Sequence, residues 1–290
     1  MRIWLMAARL RTLPAAVAPV LVGTSVAIQR GVFRPGAFAA ALLGALFIQI
    51  GTNLANDYSD AKRGADAEDR VGPVRVTAGG LVPPRQVLMA TYVTFGLAVV
   101  CGLYLVATSG VELLFVGIAS IAAGVLYTGG PKPYGYEGLG ELFVFLFFGV
   151  VAVTGSTFAQ LESWPWQALV LSVPIGLLAA AILVVNNVRD MDSDKRAGKR
   201  TLAVRLGRER GRTIYALMIY GAYLAAPIPW LAGSLSPFLL LPWLTAPLAV
   251  KLVRTVRLHA DGPTLNEALA QTGMLQLVFG LLLSAGILAS

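Results

Sequence analysis

The chain alternates long apolar runs with short polar joins, and two of the joins are unlike the rest. "AFAAALLGALFIQIG", Ala37 to Gly51, suits a membrane interior, yet it leads directly into "NLANDYSDAKRGADAEDR", Asn53 to Arg70. "VVNNVRDMDSDKRAGKR", Val184 to Arg200, repeats the transition. Apolar windows of roughly 20 residues, the length that crosses a bilayer as a helix, predict nine spans. They fall near 13–29, 36–57, 86–107, 111–128, 138–158, 168–188, 212–231, 235–253 and 266–288. Proline and glycine mark the joins, as in "FRPG", "VPPR", "GGPKP" and "DGP". The start, "MRIWLMAARLRTLPAA", is amphipathic and basic and predicts an interfacial helix anchored by Trp4. It lacks the long apolar core and A-x-A site of a cleavable signal peptide.

Composition turns this pattern into a class. Hydrophobic residues are 57% of the chain, charged residues 13%, and the mean hydropathy is +0.72. A soluble domain carries about 25% charged residues. The expectation is a single all-α integral-membrane domain over 1–290 with nine transmembrane helices. One cysteine, Cys101, excludes an internal disulfide, and no cysteine–histidine zinc spacing exists. The net charge of +8 is explained by topology. With a cytoplasmic N-terminus, 21 of the 23 Lys and Arg fall on the cytoplasmic side and only Arg30 and Arg34 fall opposite. Nucleic acid is not expected as a partner, since no soluble basic module is visible.

The two acidic stretches then lie at the cytoplasmic ends of the second and sixth spans. They recur four spans apart, so they read as pseudo-repeated aspartate-rich cytoplasmic loops of a duplicated four-helix unit. Helical spacing decides what they face. Gln49, Asn53, Asn56 and Asp60 are 4, 3 and 4 apart, and Asn186, Asp190 and Asp194 are 4 and 4 apart, so each set forms one stripe. Polar residues in a span normally face the bundle interior. Converging carboxylates repel unless cations lie between them, and oxygen-only ligands suit Mg²⁺. For any single aspartate, a solvated helix end is the alternative reading. Two stripes with amides one turn deeper argue against it.

Bases interleave with these acids: Lys62, Arg63 and Arg75 on one side, Lys195, Arg196, Lys199 and Arg200 on the other. Acids alone would suggest a bare cation site, whereas acids with Lys and Arg suggest a metal–phosphate site. The topological charge bias is the competing explanation for each base. Lys132 stands alone in "LYTGGPKPYGYEGLGE", near Tyr127, Tyr134 and Tyr136. An interfacial aromatic belt with one snorkelling lysine is the alternative there.

"NDYSDAKRGAD", "NNVRDMDSDKRAGKRTLAVRLG" and "YTGGPKPYGYEGLGELFVFLFFG" resemble the motifs of the UbiA superfamily of intramembrane aromatic prenyltransferases. So do "ARLRTLPAAVAPVLVGT" and "EDRVGPVRVTAGGLVPPRQV". Together these cover most of residues 9–210, and their flavour is that of the menaquinone branch. The resemblance implies a nine-helix bundle around a central cavity in a bacterial or archaeal cell membrane. It implies a polyprenyl diphosphate donor, Mg²⁺, and 1,4-dihydroxy-2-naphthoate as acceptor, prenylated with loss of CO₂ to give demethylmenaquinone. By motif, Asn56, Asp60, Asp190 and Asp194 match metal ligands, and Asp57 the other acid of the first motif. Arg75, Lys132 and Lys195 match diphosphate-binding bases, with Arg200 grouped beside them. Tyr127 matches a tyrosine near the reacting carbon. The family's third first-motif aspartate falls nearest Gly64, so Asp66 is its shifted stand-in. Gln49, Asn53 and Asn186, deeper on the stripes, are then expected beside the allyl group or acceptor ring. Rival readings are another acceptor, such as 4-hydroxybenzoate or homogentisate, and from a different class a cation transporter.

Overall fold

The computed structural model describes residues 2–65 and 75–290, and the described residues contain helices and turns but no strand. A short amphipathic helix, α1 (Arg2–Ala8), precedes α2 (Pro14–Gln29). Ile3, Trp4, Leu5 and Met6 are exposed on α1, while Ala7 is buried with Leu54, Val76, Val82 and Val87. The helix thus lies against the bundle with its apolar face outward. The long elements that follow are α3 (Pro35–Lys62), α4 (Pro84–Ser109), α5 (Glu112–Leu126), α6 (Gly140–Leu161) and α7 (Trp166–Arg196). A short α8 (Leu202–Leu206) leads to α9 (Arg208–Leu231), α10 (Pro237–Leu258) and α11 (Gly262–Leu288).

Seven of these helices are long and apolar enough to cross a membrane, and an eighth crossing arises if Ile3–Thr12 and Pro14–Gln29, bent by 50°, count as one. The expected fourth span, α5, has 15 residues. At 1.5 Å per residue it is about 22 Å long, shorter than a hydrocarbon core of about 30 Å. A second difference concerns the acids. α3 and α7 continue past the apolar windows to Lys62 and Arg196, so Asp57, Asp60, Asp190 and Asp194 stand on terminal helical turns and not in loops. Hydropathy ends a span where charge begins, but the backbone ladder ends only where its partners run out.

α7 is the central element. Seventy-two per cent of its most apolar window is buried, and it packs against α6, α9 and α11 in a core that includes Leu171, Ile175, Leu178, Tyr215, Ile219 and Phe279. The approach of α6 to α7 is set by glycine. A Cβ on Gly149 would meet the Gly176 Cα at 2.5 Å and its N at 2.9 Å. Small residues at such contacts let membrane helices approach closely. Gly149→Ala is therefore expected to destabilise by roughly 1–3 kcal/mol, read as a lower melting temperature in detergent. Gly96→Ala, where the added Cβ meets nothing within 4 Å, should show no such loss.

Candidate active site

One cavity of about 430 Å³ runs between the helices, and its two ends differ in chemistry. Its polar end is built by the two stripes. Gln49, Asn53, Asn56 and Asp60 from α3, and Asn186, Asp190 and Asp194 from α7, all line it. The convergence expected from their spacing is therefore present. Asp60 is 1% exposed and is the hub. It accepts from the Tyr136 hydroxyl at 2.6 Å and lies 3.4 Å from Arg75 Nη2 and 3.5 Å from Lys199 Nζ. The same Lys199 ammonium is 4.0 Å from Asp194 Oδ1 and 4.8 Å from the centre of the Tyr136 ring. One cation thus ties the α3 acid to the α7 acid.

Asp190 is held differently. Both its oxygens accept from the buried guanidinium of Arg189, at 2.7 and 2.6 Å, and that guanidinium also donates to Asn186 at 2.9 Å and to Asn266 of α11 at 2.6 Å. The pairing fixes the carboxylate's orientation and leaves lone pairs on each oxygen. Asn56 Oδ1 accepts from Thr128 Oγ1 at 2.8 Å.

Among the described residues, no three Asp, Glu, His or Cys side chains already close on a single point. The donor set still fits a hard divalent cation: carboxylate and amide oxygens from two facing helices, with an ammonium drawn between Asp60 and Asp194 where positive charge is required.

Other expected site residues are placed elsewhere. Asp57 is 2% exposed but does not line the cavity; its carboxylate accepts from the backbone N–H of Val76 at 3.1 Å and of Thr77 at 2.9 Å. It anchors the segment that carries Arg75. Lys132 and Lys195 are exposed and outside the cavity wall. Arg200 is exposed too; its backbone N–H donates to the Tyr136 carbonyl at 2.8 Å. Asp66 lies outside the described residues. Gln49 and Asn53 reach the cavity, and their amides donate to Thr12 Oγ1 at 3.0 and 3.1 Å, with Asn53 also donating to the Ala8 carbonyl at 3.0 Å.

The aromatic wall is formed by Tyr127, Tyr134, Tyr136, Phe143 and Phe147. Tyr127 meets Tyr134 edge-on at 5.5 Å, and Tyr134 stacks on Phe143 at 4.0 Å. Burial pushes the Tyr134 phenol above its ordinary range, so it remains a neutral donor, here to the Ala123 carbonyl at 2.8 Å. Beyond the aromatics the wall is apolar and small: Ala40, Ala41, Gly44 and Ala45 of α3, Gly102 of α4, Gly117 of α5. Val99, Leu103, Leu114 and Ile118 line this part and are also exposed on the outer surface, marking a sideways opening between α4 and α5.

Residues 16–286 match the model of the UbiA prenyltransferase family. The 1,4-dihydroxy-2-naphthoate octaprenyltransferase of Mycobacterium tuberculosis is 43% identical over 288 residues, covering 99% of this chain and 96% of that protein. The enzyme of the same name from Escherichia coli is 38% identical over 293 residues, covering 99% and 95%. Among solved structures, a UbiA homolog from Archaeoglobus fulgidus bound to GPP and Mg²⁺ is similar in fold, with a TM-score of 0.66 at 15% identity, covering 99% of this chain and all of that one. The apo structure of a UbiA homolog from Aeropyrum pernix K1 gives a TM-score of 0.71 at 16% identity, covering 94% and 97%.

Proposed function

The chain belongs to the UbiA prenyltransferase family, and on that premise we propose that it moves the isoprenyl chain of a polyprenyl diphosphate onto 1,4-dihydroxy-2-naphthoate with loss of CO₂. The observation that carries the reading is the division of one cavity. A polar end with Asn56, Asp60, Asp190, Asp194, Arg75 and Lys199 adjoins an aromatic collar and an apolar, sideways-open remainder. A diphosphate joined to a long hydrocarbon needs that succession of surfaces.

Asn56, Asp60, Asp190 and Asp194 would hold Mg²⁺. Bound there, it supplies charge neutralisation for the departing diphosphate. Arg75 and Lys199 exchange part of their contact with Asp60 for diphosphate oxygens. Lys132 and Lys195, exposed beside the same end, would close on the outer oxygens. The allylic C–O bond breaks with its electron pair leaving on diphosphate. The positive charge then spreads over the allyl group, where the faces of Tyr127 and its aromatic neighbours stabilise it. The apolar wall keeps out water, which would capture the cation. The electron-rich naphthoate ring forms the new C–C bond at its carboxyl-bearing carbon. The C–CO₂ electron pair then restores the aromatic ring as CO₂ departs, so no base is needed, and the product is demethylmenaquinone in its quinol form. The prenyl tail occupies the small-residue channel and meets lipid between α4 and α5.

The reading also carries a topology. Nine crossings result when the bent N-terminal pair and the short α5 are counted, with the N-terminus and the acid-bearing end cytoplasmic in a bacterial cell membrane.

Offering purified protein Mg²⁺, a polyprenyl diphosphate and, separately, 1,4-dihydroxy-2-naphthoate, 4-hydroxybenzoate and homogentisate tests the reading. Prenylation of the naphthoate alone is expected, stopped by EDTA and restored by Mg²⁺. Prenylation of another acceptor in preference, or undiminished turnover in chelator, would overturn it. Within the site, Arg75→Ala and Lys199→Ala should each lower donor kcat/KM about ten- to hundredfold, the worth of one charge-assisted contact, with acceptor KM little changed. Equal effects on both substrates would contradict their assignment to diphosphate.

A further inference from the structure

We propose that Arg9 is the specificity-determining residue that recognises the acceptor's carboxylate, and that the bend between α1 and α2 is built to hold it in the cavity. The proposal rests on the naphthoate reading above. Among the described residues, three cationic side chains line the cavity: Arg9, Arg75 and Lys199. Arg75 and Lys199 lie within 3.5 Å of Asp60, at the end assigned to diphosphate. Arg9 comes from a different wall, carried by the N-terminal bend.

Its backbone is unusual. Arg9 has φ 53° and ψ 63°, and among the described residues only Glu162 is another non-glycine residue with positive φ. Glycine adopts this conformation freely, whereas a side chain crowds the backbone there. A strained residue persists where its surroundings over-determine it, which is a reason to look for function. Those surroundings are explicit. The Arg9 carbonyl accepts from the N–H of Thr12 at 2.8 Å and from its hydroxyl at 2.9 Å. The preceding carbonyl, of Ala8, accepts from Asn53. Gln49 and Asn53 both donate to Thr12 Oγ1. Hydrogen bonds on either side of Arg9 therefore end on α3, on the very stripe that continues to Asn56 and Asp60.

The register suits an acceptor. Asn53 and Asp60 are seven residues apart, about 10 Å along the helix. That separates a diphosphate at Asp60 from a ring lying against the allylic carbon one to two turns deeper. Arg9 follows the Ala8 carbonyl that Asn53 holds, so its backbone stands level with Asn53, and a planar guanidinium carried from there matches a carboxylate bidentately, which fixes the plane of the acid and the face of the ring presented to the allyl group. The amides of Gln49 and Asn53 then act on the acceptor indirectly, as positioning residues for Arg9.

Arg9→Gly is the informative variant, because glycine fits the left-handed backbone and only the side chain is lost. Steady-state kinetics would be measured with donor and acceptor varied in turn. A naphthalene-1,4-diol lacking the carboxylate would be titrated as a competitor. Arg9→Gly should raise the acceptor KM about ten- to hundredfold, as expected for loss of a charge-assisted pair, and leave the donor KM near wild type. Wild type should bind the carboxylate acceptor more tightly than the carboxylate-free competitor, and the variant should lose that preference. Arg9→Lys should recover part of it. Asn53→Ala should move the same ratio in the same direction, by less. A retained preference for the carboxylate in Arg9→Gly, or an equal rise in donor KM, overturns the assignment while the naphthoate reading stands. Wild-type protein that prenylates no naphthoate acid overturns both.

Discussion

Replacing Asp60 by alanine is expected to reduce turnover by about three orders of magnitude or more and to leave a folded protein, since one charged hub is lost at the point where the proposed reaction develops leaving-group charge. Asp60 is nearly inaccessible and receives a hydroxyl, a guanidinium and an ammonium from three separate segments: Tyr136 before α6, Arg75 before α4, and Lys199 after α7. Alanine is at least as good a helix former, so α3 should persist. Losing the carboxylate removes an oxygen donor of the proposed metal site and leaves the cations of Arg75 and Lys199 without it. Added Mg²⁺ should not restore the rate. Asp60→Asn keeps an acceptor for Tyr136 without the charge, and should fall within about tenfold of the alanine variant if charge is what counts. Circular dichroism and melting in detergent, with kcat measured across a Mg²⁺ titration, check the result. Wild-type turnover in either variant would contradict the role assigned to the polar end.

Asp57→Ala should act by another route. Its carboxylate is buried and bound to two backbone N–H groups, of Val76 and Thr77. Val76 is itself fully buried, in a cluster with Ala7, Leu54, Val82 and Val87. Without the acceptor, two buried donors lose their partner, at about 1–3 kcal/mol each, so a destabilisation of roughly 2–6 kcal/mol is expected. The segment that positions Arg75 loosens with it, and donor KM should rise along with the fall in melting temperature. Asp57→Asn, with a single oxygen acceptor, should lie between. An Asp57→Ala protein that melts like wild type but has lost kcat would make Asp57 a participant in the chemistry instead of an anchor.

These two aspartates show what the sequence could and could not reveal. Spacing alone placed Asp60, Asp190 and Asp194 on inward stripes, because helical period is a local property. Asp57 is one residue after Asn56, on another face of α3, and its partners lie nineteen and twenty residues later in the chain. No spacing argument reaches them. The bases were harder. "KRAGKR" offers four cations at close intervals, and the one that reaches the acids, Lys199, is selected by Gly198. With φ 75°, this glycine turns the chain back so that the Lys199 N–H donates to the Asp194 carbonyl. Lys195 and Arg200 consequently face outward. Arg189 escapes sequence reasoning for a related reason: beside Asp190 it resembles ordinary end-of-span charge, and only the arrival of Asn266 from α11 shows that it is buried. Gln49 and Asn53 do reach the cavity as their stripe predicts, but their hydrogen bonds go to an N-terminal bend more than thirty residues earlier. The helix positions were legible nearly throughout, since apolar runs and Pro/Gly joins are local signals. α3 and α7 run longer than predicted because the charges that end the hydropathy window are themselves bound to neighbours.

In the proposed reaction one cavity joins an allylic carbon to the carboxyl-bearing carbon of the naphthoate as CO₂ leaves. The direct measurement uses purified protein in lipid nanodiscs with Mg²⁺, polyprenyl diphosphate and 1,4-dihydroxy-2-naphthoate labelled with ¹⁴C in the carboxyl group. Released ¹⁴CO₂ and prenylated product should appear together in equal amounts, depend on both substrates, and vanish in Asp60→Ala. Prenylated product that keeps the label, or no product from this acceptor when another aromatic acid is prenylated, would contradict the account.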